Sequence, residues 1–349
     1  MGQLLALGMT HYPALVNSDE HMADMLRWTL EDDAIPASAK DPASWPAEMR
    51  AEYGDDGGTA SAAVHRAACV RNFDRLRAEL DAFRPDAVVI WGDDQYENFR
   101  EQIIPPFCLF ALDDQELKPW AHAKGTNVWN EDADSSVTLI GARKIAKELA
   151  ASVLGQGVDL SYAYELREPG ALPHAFLNSA LFLDYHRTGF PYPVIPFQVN
   201  CYGSYVICRQ GMPARFGVGQ DPADIDPPGP TPKRVMEVGG AFARAVRESP
   251  YRIAVIGSSS WSHAFLHDKT MRLYPDIESD ERYYRAMVEG DYATWEQTTT
   301  DQLIASGQQE MLNWFCLLGA VRELNLSVKW SELVTTHAFN SSKAFAAFH

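Results

Sequence analysis

The chain has 349 residues, 46% hydrophobic and 22% charged, which is enough apolar side chain to bury a large core. Its 30 Lys and Arg against 47 Asp and Glu give a formal charge of −17. No Lys/Arg-rich block offsets that charge, so both a nucleic-acid backbone and an anionic membrane surface are disfavoured as partners.

The first residues, MGQLLALGMTHYP, have no basic n-region, and their apolar run is too short for a secretory signal. No window reaches the length of a membrane-spanning helix, and a cytoplasmic location is expected. Leu4–Met9 reads as a strand that runs into Thr10-His11-Tyr12-Pro13. Helical patterns follow around His21–Leu30 and Ala62–Phe83, with an irregular stretch, Pro36–Gly58, between them. Ala87–Trp91 is a second strand and stops abruptly at Asp93-Asp94-Gln95. A helix is predicted over Val137–Leu154 and a strand over Leu160–Tyr164, then a loop with His174 ahead of another helix. Val194–Val199 is the next strand. Gly211–Lys233 carries six prolines and reads as a long covering loop. Beyond it come a helix over Arg234–Arg247, a strand over Ile253–Ile256 and a helix over Gln309–Leu324, the last with Ser306 and Gln309 spaced as a capping box. Strands alternating with helices predict an α/β architecture, in one domain spanning residues 1–349. Five scattered cysteines with no C-x-x-C spacing form neither a disulfide framework nor a zinc knuckle.

In open α/β sheets the carboxyl ends of the strands define the ligand crevice. Here one such strand runs into His11, one into Asp93, Asp94 and Gln95, and one into a Ser/Gly-rich turn ending at His263. Each has a plainer reading. His11 suits a bend, the serine turn suits an anion nest, and Asp93 and Asp94 suit a solvated loop, with Asp94 also able to orient a neighbouring ligand. Glu310 stands in line with Trp314, Leu317 and Val321 on an apolar helix stripe. It either favours the helix dipole or needs a partner for a buried charge, and a metal ion is one such partner. His174 reads first as a helix-entry histidine. No G-x-S-x-G elbow, Walker sequence or G-x-G-x-x-G is present, which ranks a serine hydrolase and a nucleotide enzyme below a metal enzyme.

Taken in order, THYPAL, GDDQYENF, IIPPF, PHAFLNSALFL, YPVIPFQVNCY, VIGSSSWSHAF, QQEMLNWFCLLGA and AFNSSKAF cover nearly the whole chain. In that order and spacing the sequence resembles the LigB-type (class III) extradiol ring-cleavage dioxygenases, typified by the β subunit of protocatechuate 4,5-dioxygenase. The resemblance implies a single-domain α/β/α sandwich around a mostly parallel or mixed sheet, holding one non-haem Fe(II) by two histidines and a glutamate. It assigns His11 and Glu310 to the metal. His263 becomes the acid/base and His174 a second catalytic histidine, while Tyr12, Asp94 and Trp261 become substrate-binding residues, the two aromatics as walls for a catechol-like ring cleaved with O2. Gln95 stands where the second ligand histidine is expected. It keeps the ligand neutral if it binds, and the alternatives are Asp94 or Glu97 turned inward, or an iron site that has been lost. That last case makes the chain a fold relative working as a non-oxygenase enzyme or a binding protein. A homo-oligomer is expected, with a small accessory subunit as the other possibility.

Overall fold

In the computed structural model, residues 1–121, 125–205, 207–210, 221 and 223–349 are described. The strands are β1 (Gln3–Met9), β2 (Ala87–Gly92), β3 (Phe107–Phe110), β4 (Gln115–Leu117), β5 (Val137–Leu139), β6 (Ser161–Ala163), β7 (Val194–Val199), β8 (Arg252–Ser258), β9 (Val328–Val334) and β10 (Lys343–Phe348). Eight of them form one sheet in the order β6-β3-β7-β2-β8-β1-β10-β9, and β4 pairs with β5 apart from it. The four central strands, β7-β2-β8-β1, are parallel, while antiparallel pairs flank them at β3/β7 and β1/β10.

Alternation along the central strands sorts their side chains into two cores. Leu7, Met9, Val88, Ile90, Ala254 and Ile256 face the helices Thr59–Phe83 and His174–Leu183. Ala6, Val89, Trp91, Ile253 and Val255 face Arg143–Gly155, Pro232–Glu248 and Leu312–Glu323. With both faces covered, the central strands are apolar through their middles, and the expected α/β sandwich around a mixed sheet is what the chain forms. Gly8 is where the last helix comes closest to the sheet: a Cβ there would lie 2.1 Å from the Trp314 ring. That approach carries the start of the helix, with Glu310 and Asn313, over the ends of β1 and β8.

Several local expectations need correction. Val137–Leu154 is not one helix; Val137–Leu139 pairs with β4, and the helix begins at Arg143. Pro36–Gly58 is not irregular, since it folds into short helices at Ala37–Lys40 and Ala47–Tyr53. The capping box belongs to Thr299 and Gln302, one helix earlier. Ser306 instead closes that earlier helix, donating its hydroxyl to Gln302 O, and Gly307 (φ +67°) turns the chain into a 3-10 turn at Gln309–Met311. Of the proline-rich segment, residues 211–220 and 222 lie outside the described residues.

Candidate metal centre

Parallel register brings three strand ends level. Met9 pairs with Ser258 and Trp91 with Gly257, so His11 and Asp93 each leave the sheet two residues past a paired position. His11 is buried, and its Nδ1–H is donated to Ser258 O at 3.1 Å. This fixes the tautomer and turns the Nε2 lone pair inward, toward Asp93 Oδ1 at 3.5 Å and Glu310 Oε2 at 3.6 Å. Burial, with the neighbouring His174 cation, holds the His11 pKa down to about 3, so the imidazole is neutral.

Glu310 sits in the 3-10 turn before the last helix, 3% exposed. Its Oε1 accepts from Tyr202 Oη at 2.5 Å and from Gln95 Nε2 at 3.1 Å. Its Oε2 accepts no hydrogen bond, although His263 Nε2 lies 3.4 Å away. Burial and the Asp93 carboxylate raise the Glu310 pKa well above the carboxylate range, and burial raises Asp93 as well. The ligating atoms of His11, Asp93 and Glu310 all lie within 4.8 Å of one another. An imidazole lone pair and two carboxylate oxygens thus converge, with only a long hydrogen bond from Asn313 Nδ2 to Asp93 Oδ1 (3.4 Å) to offset them, and a shared proton or a cation relieves the arrangement. The donor types suit a divalent cation such as Fe(II) or Mn(II), and the partnerless Glu310 oxygen is the mark of that fit.

The residues expected from the sequence divide into those that reach this cluster and those that do not. Gln95 reaches it through its amide nitrogen, which donates to Asp93 Oδ2 (3.2 Å), Tyr202 Oη (3.2 Å) and Glu310. Asp94 points back into its own loop, accepting the backbone N–H of Glu97 at 3.0 Å and of Asn98 at 3.0 Å. Burial, with Glu97 nearby, pushes its pKa up to about 7. Glu97 faces His174, whose Nδ1 is 3.0 Å from Glu97 Oε2 and whose backbone N–H is donated to Oε1 at 3.0 Å. Burial lowers the His174 pKa, but Glu97 outweighs that and pushes it up to about 10. His263 is buried and neutral, its pKa held down to about 3 by burial and by the Lys343 charge; its Nδ1 has no partner. Trp261 is fully buried against Trp295 and Trp314, in the core rather than on a cavity wall.

Above the cluster opens a cavity of about 600 Å³ with Gln95, His174, His263 and Glu310 among its lining residues. Tyr12, Met22, Met25, Trp28 and Phe265 supply apolar wall. The Lys343 Nζ lies 3.9 Å from the centre of the Tyr12 ring. Asp93, Tyr202 and Ser258 went unassigned in the sequence. Strand alternation alone carries a signal for Asp93, which stands in phase with the buried Val89 and Trp91. Tyr202 and Ser258 are fixed only by contacts across the fold.

Fold and cluster together define an α/β protein with a candidate metal centre at the carboxyl edge of its sheet. Among curated proteins, the chain is similar to the 2,3-dihydroxyphenylpropionate/2,3-dihydroxicinnamic acid 1,2-dioxygenase 2 of Pseudomonas putida. The two are 28% identical over 242 residues, covering 65% of this chain and 63% of that protein. It is also similar to the corresponding 1,2-dioxygenases of Paraburkholderia xenovorans and Klebsiella pneumoniae. The first is 26% identical over 187 residues, covering 54% of this chain and 46% of the relative; the second is 24% identical over 222 residues, covering 60% and 57%. The chain therefore spans less than two thirds of the length of these relatives. No family model matches it. Among the described residues, no helix is long and apolar enough to cross a membrane.

Proposed function

We propose that the protein is an extradiol ring-cleavage dioxygenase acting on a catechol-like aromatic with O2. The observation that carries this reading is the convergence of His11 Nε2, Asp93 Oδ1 and Glu310 Oε2, the last with no hydrogen-bond donor, beneath an apolar-walled cavity of about 600 Å³. The names of the relatives support it, each being a dioxygenase of a dihydroxylated aromatic acid. His11, Asp93 and Glu310 would hold Fe(II), with Asp93 in place of a second histidine. When bound, Fe(II) supplies a site at which catechol oxygens and O2 are brought together.

The protein's own groups then have distinct tasks. His263, neutral and buried beside Glu310, is the base that takes a ring hydroxyl proton and returns it to the product side. His174, held cationic by Glu97, offers a hydrogen bond to a substrate oxygen bearing negative charge. Gln95 keeps Asp93 and Glu310 at their spacing by donating to both. Tyr12 forms a face on which the ring packs.

The test is O2 uptake by protein loaded anaerobically with Fe(II) and mixed with a catechol. Uptake with a yellow ring-opened product is expected, and His263→Ala should abolish turnover while metal stays bound. Failure to take up iron, with no O2 consumption across a panel of catechols, contradicts the reading and leaves a fold relative with another use for the cavity.

A further inference from the structure

The cavity is notable for the charges it lacks. Among its described lining residues there is no Arg or Lys. Among the described residues, three cations at or beside it are already engaged. Arg27 donates to Asp24 Oδ1 at 2.5 Å, to Glu20 O at 2.6 Å and to Gly57 O at 2.9 Å. Lys343 lies behind the Tyr12 ring, with its ammonium donated to Phe339 O and Ser341 O. His174 is paired with Glu97 at 3.0 Å. At the mouth, Asp24 is itself satisfied by Arg27 and by His21 Nδ1 at 3.0 Å, so it is no counter-ion for an ammonium either.

A carboxylate on the side chain would lose hydration and find, among the described lining residues, no cation but His174, whose Nδ1 is taken by Glu97 and whose remaining N–H is the one assigned to a ring oxygen. It would also approach a chain of formal charge −17. An uncharged chain would meet only favourable surface. Met22, Met25 and Trp28 come from the turn and helix at Asp24–Glu31 and line the wall, with Trp28 61% exposed at the mouth. The relatives, by contrast, are named for substrates that carry a carboxylate, a propionate or a cinnamic acid.

The geometry points to a ring substrate with an uncharged, apolar side chain and no carboxylate, selected by the Met22–Met25–Trp28 wall. The inference rests on the ring-cleavage reading for the ring itself, while the choice of side chain rests on the cavity wall.

The test uses three ligands of similar size: 3-(2,3-dihydroxyphenyl)propionate, its primary amide and 3-butylcatechol. Their affinities for the anaerobic Fe(II)-loaded full chain are measured by calorimetry. The amide and the butyl compound should bind about tenfold or more tighter than the acid, the scale expected for an ion buried without a partner. Met25→Arg should reverse the order by tightening the acid alone. Equal or tighter binding of the acid by the unaltered protein overturns the inference, as does failure of all three to bind. O2 uptake with the same ligands is read separately. If the neutral ligands bind selectively but no O2 is consumed, it is the ring-cleavage reading that falls.

Discussion

His11 gives its Nδ1–H to the carbonyl of Ser258, 3.1 Å away, and that bond leaves Nε2 as a lone pair aimed at Asp93 and Glu310. Ser258 is the last residue of β8 and His11 lies just past β1, so the bond follows from parallel pairing of those strands. The orientation of a metal-ligating imidazole is thereby built into the sheet, as such ligands require.

Asp93 and Gln95 can be told apart by metal affinity. With Asp93 as the third ligand, Asp93→Ala should weaken Fe(II) binding by about 100-fold or more, whereas Gln95→Leu, which removes a hydrogen-bond donor, should cost about tenfold. Anaerobic calorimetry measures both. The reverse ranking would make Gln95 the ligand and Asp93 its partner.

Asp280 is buried behind the His263 turn, accepting Ser262 N–H at 2.9 Å and Gln308 Nε2–H at 2.6 Å. Burial raises its pKa from 3.8 to about 7. Across that interval the folded state keeps a proton that the unfolded chain releases. Its contribution to stability is therefore fully present below the lower value and lost as pH rises through about 7. Asp280→Asn keeps the acceptor without the charge. Compared with the unaltered protein, it should remove a fall in unfolding free energy on the order of 4 kcal/mol between those pH values. Urea unfolding at a series of pH values checks this, and parallel curves for the two proteins would refute it.

Lys343 holds the loop that holds His263. Its ammonium takes the carbonyls of Phe339 and Ser341, while the alternate carbonyls of Asn340 and Ser342 accept the N–H of Ala264 (2.7 Å) and Trp261 (3.0 Å). Lys343→Met leaves the Ser341 carbonyl without a donor, while Phe339 O keeps the Ser341 N–H at 2.7 Å, and should cost about 1–3 kcal/mol in chemical unfolding. Turnover should fall with it. A variant of unchanged stability would show that the loop holds without the ammonium.

Gly8 tests the packing that places Glu310. Gly8→Ala sets a methyl against the Trp314 ring and should destabilise by about 1–3 kcal/mol, with weaker metal binding as the helix shifts. Thermal unfolding and metal titration read the two effects. An unaltered midpoint would mean that Trp314 yields without moving the helix.

Much of the fold was legible because the central strands are short apolar runs followed by reactive residues, and the long amphipathic helices keep their period. Boundaries were lost where local pattern and tertiary pairing disagree. Val137–Leu139 looks like the start of a helix until β4 pairs with it, and Ser306 has the spacing of a cap but spends its hydroxyl on the preceding helix. At the site, His11, His263, Gln95 and Glu310 come together around the cluster. Asp93 was passed over because the resemblance directs attention to Gln95, two residues on, although strand phase points Asp93 toward the helix of Asn313, whose Nδ2 lies 3.4 Å from it. Tyr202 acts through Glu310, far along the chain, and Asp280 and Lys343 owe their shifted character to burial, none of which a local motif records. Trp261 and Asp94 were drawn toward the cavity by proximity in sequence, but one packs into a tryptophan core and the other caps its own loop.

Anomalous diffraction at the iron edge, from crystals grown with Fe(II) under anaerobic conditions, tests the central claim most directly. The account predicts one strong peak bounded by His11 Nε2, Asp93 Oδ1 and Glu310 Oε2, with His263 beside it and not bonded to it. A peak elsewhere in the chain, or none at full iron loading, would contradict it.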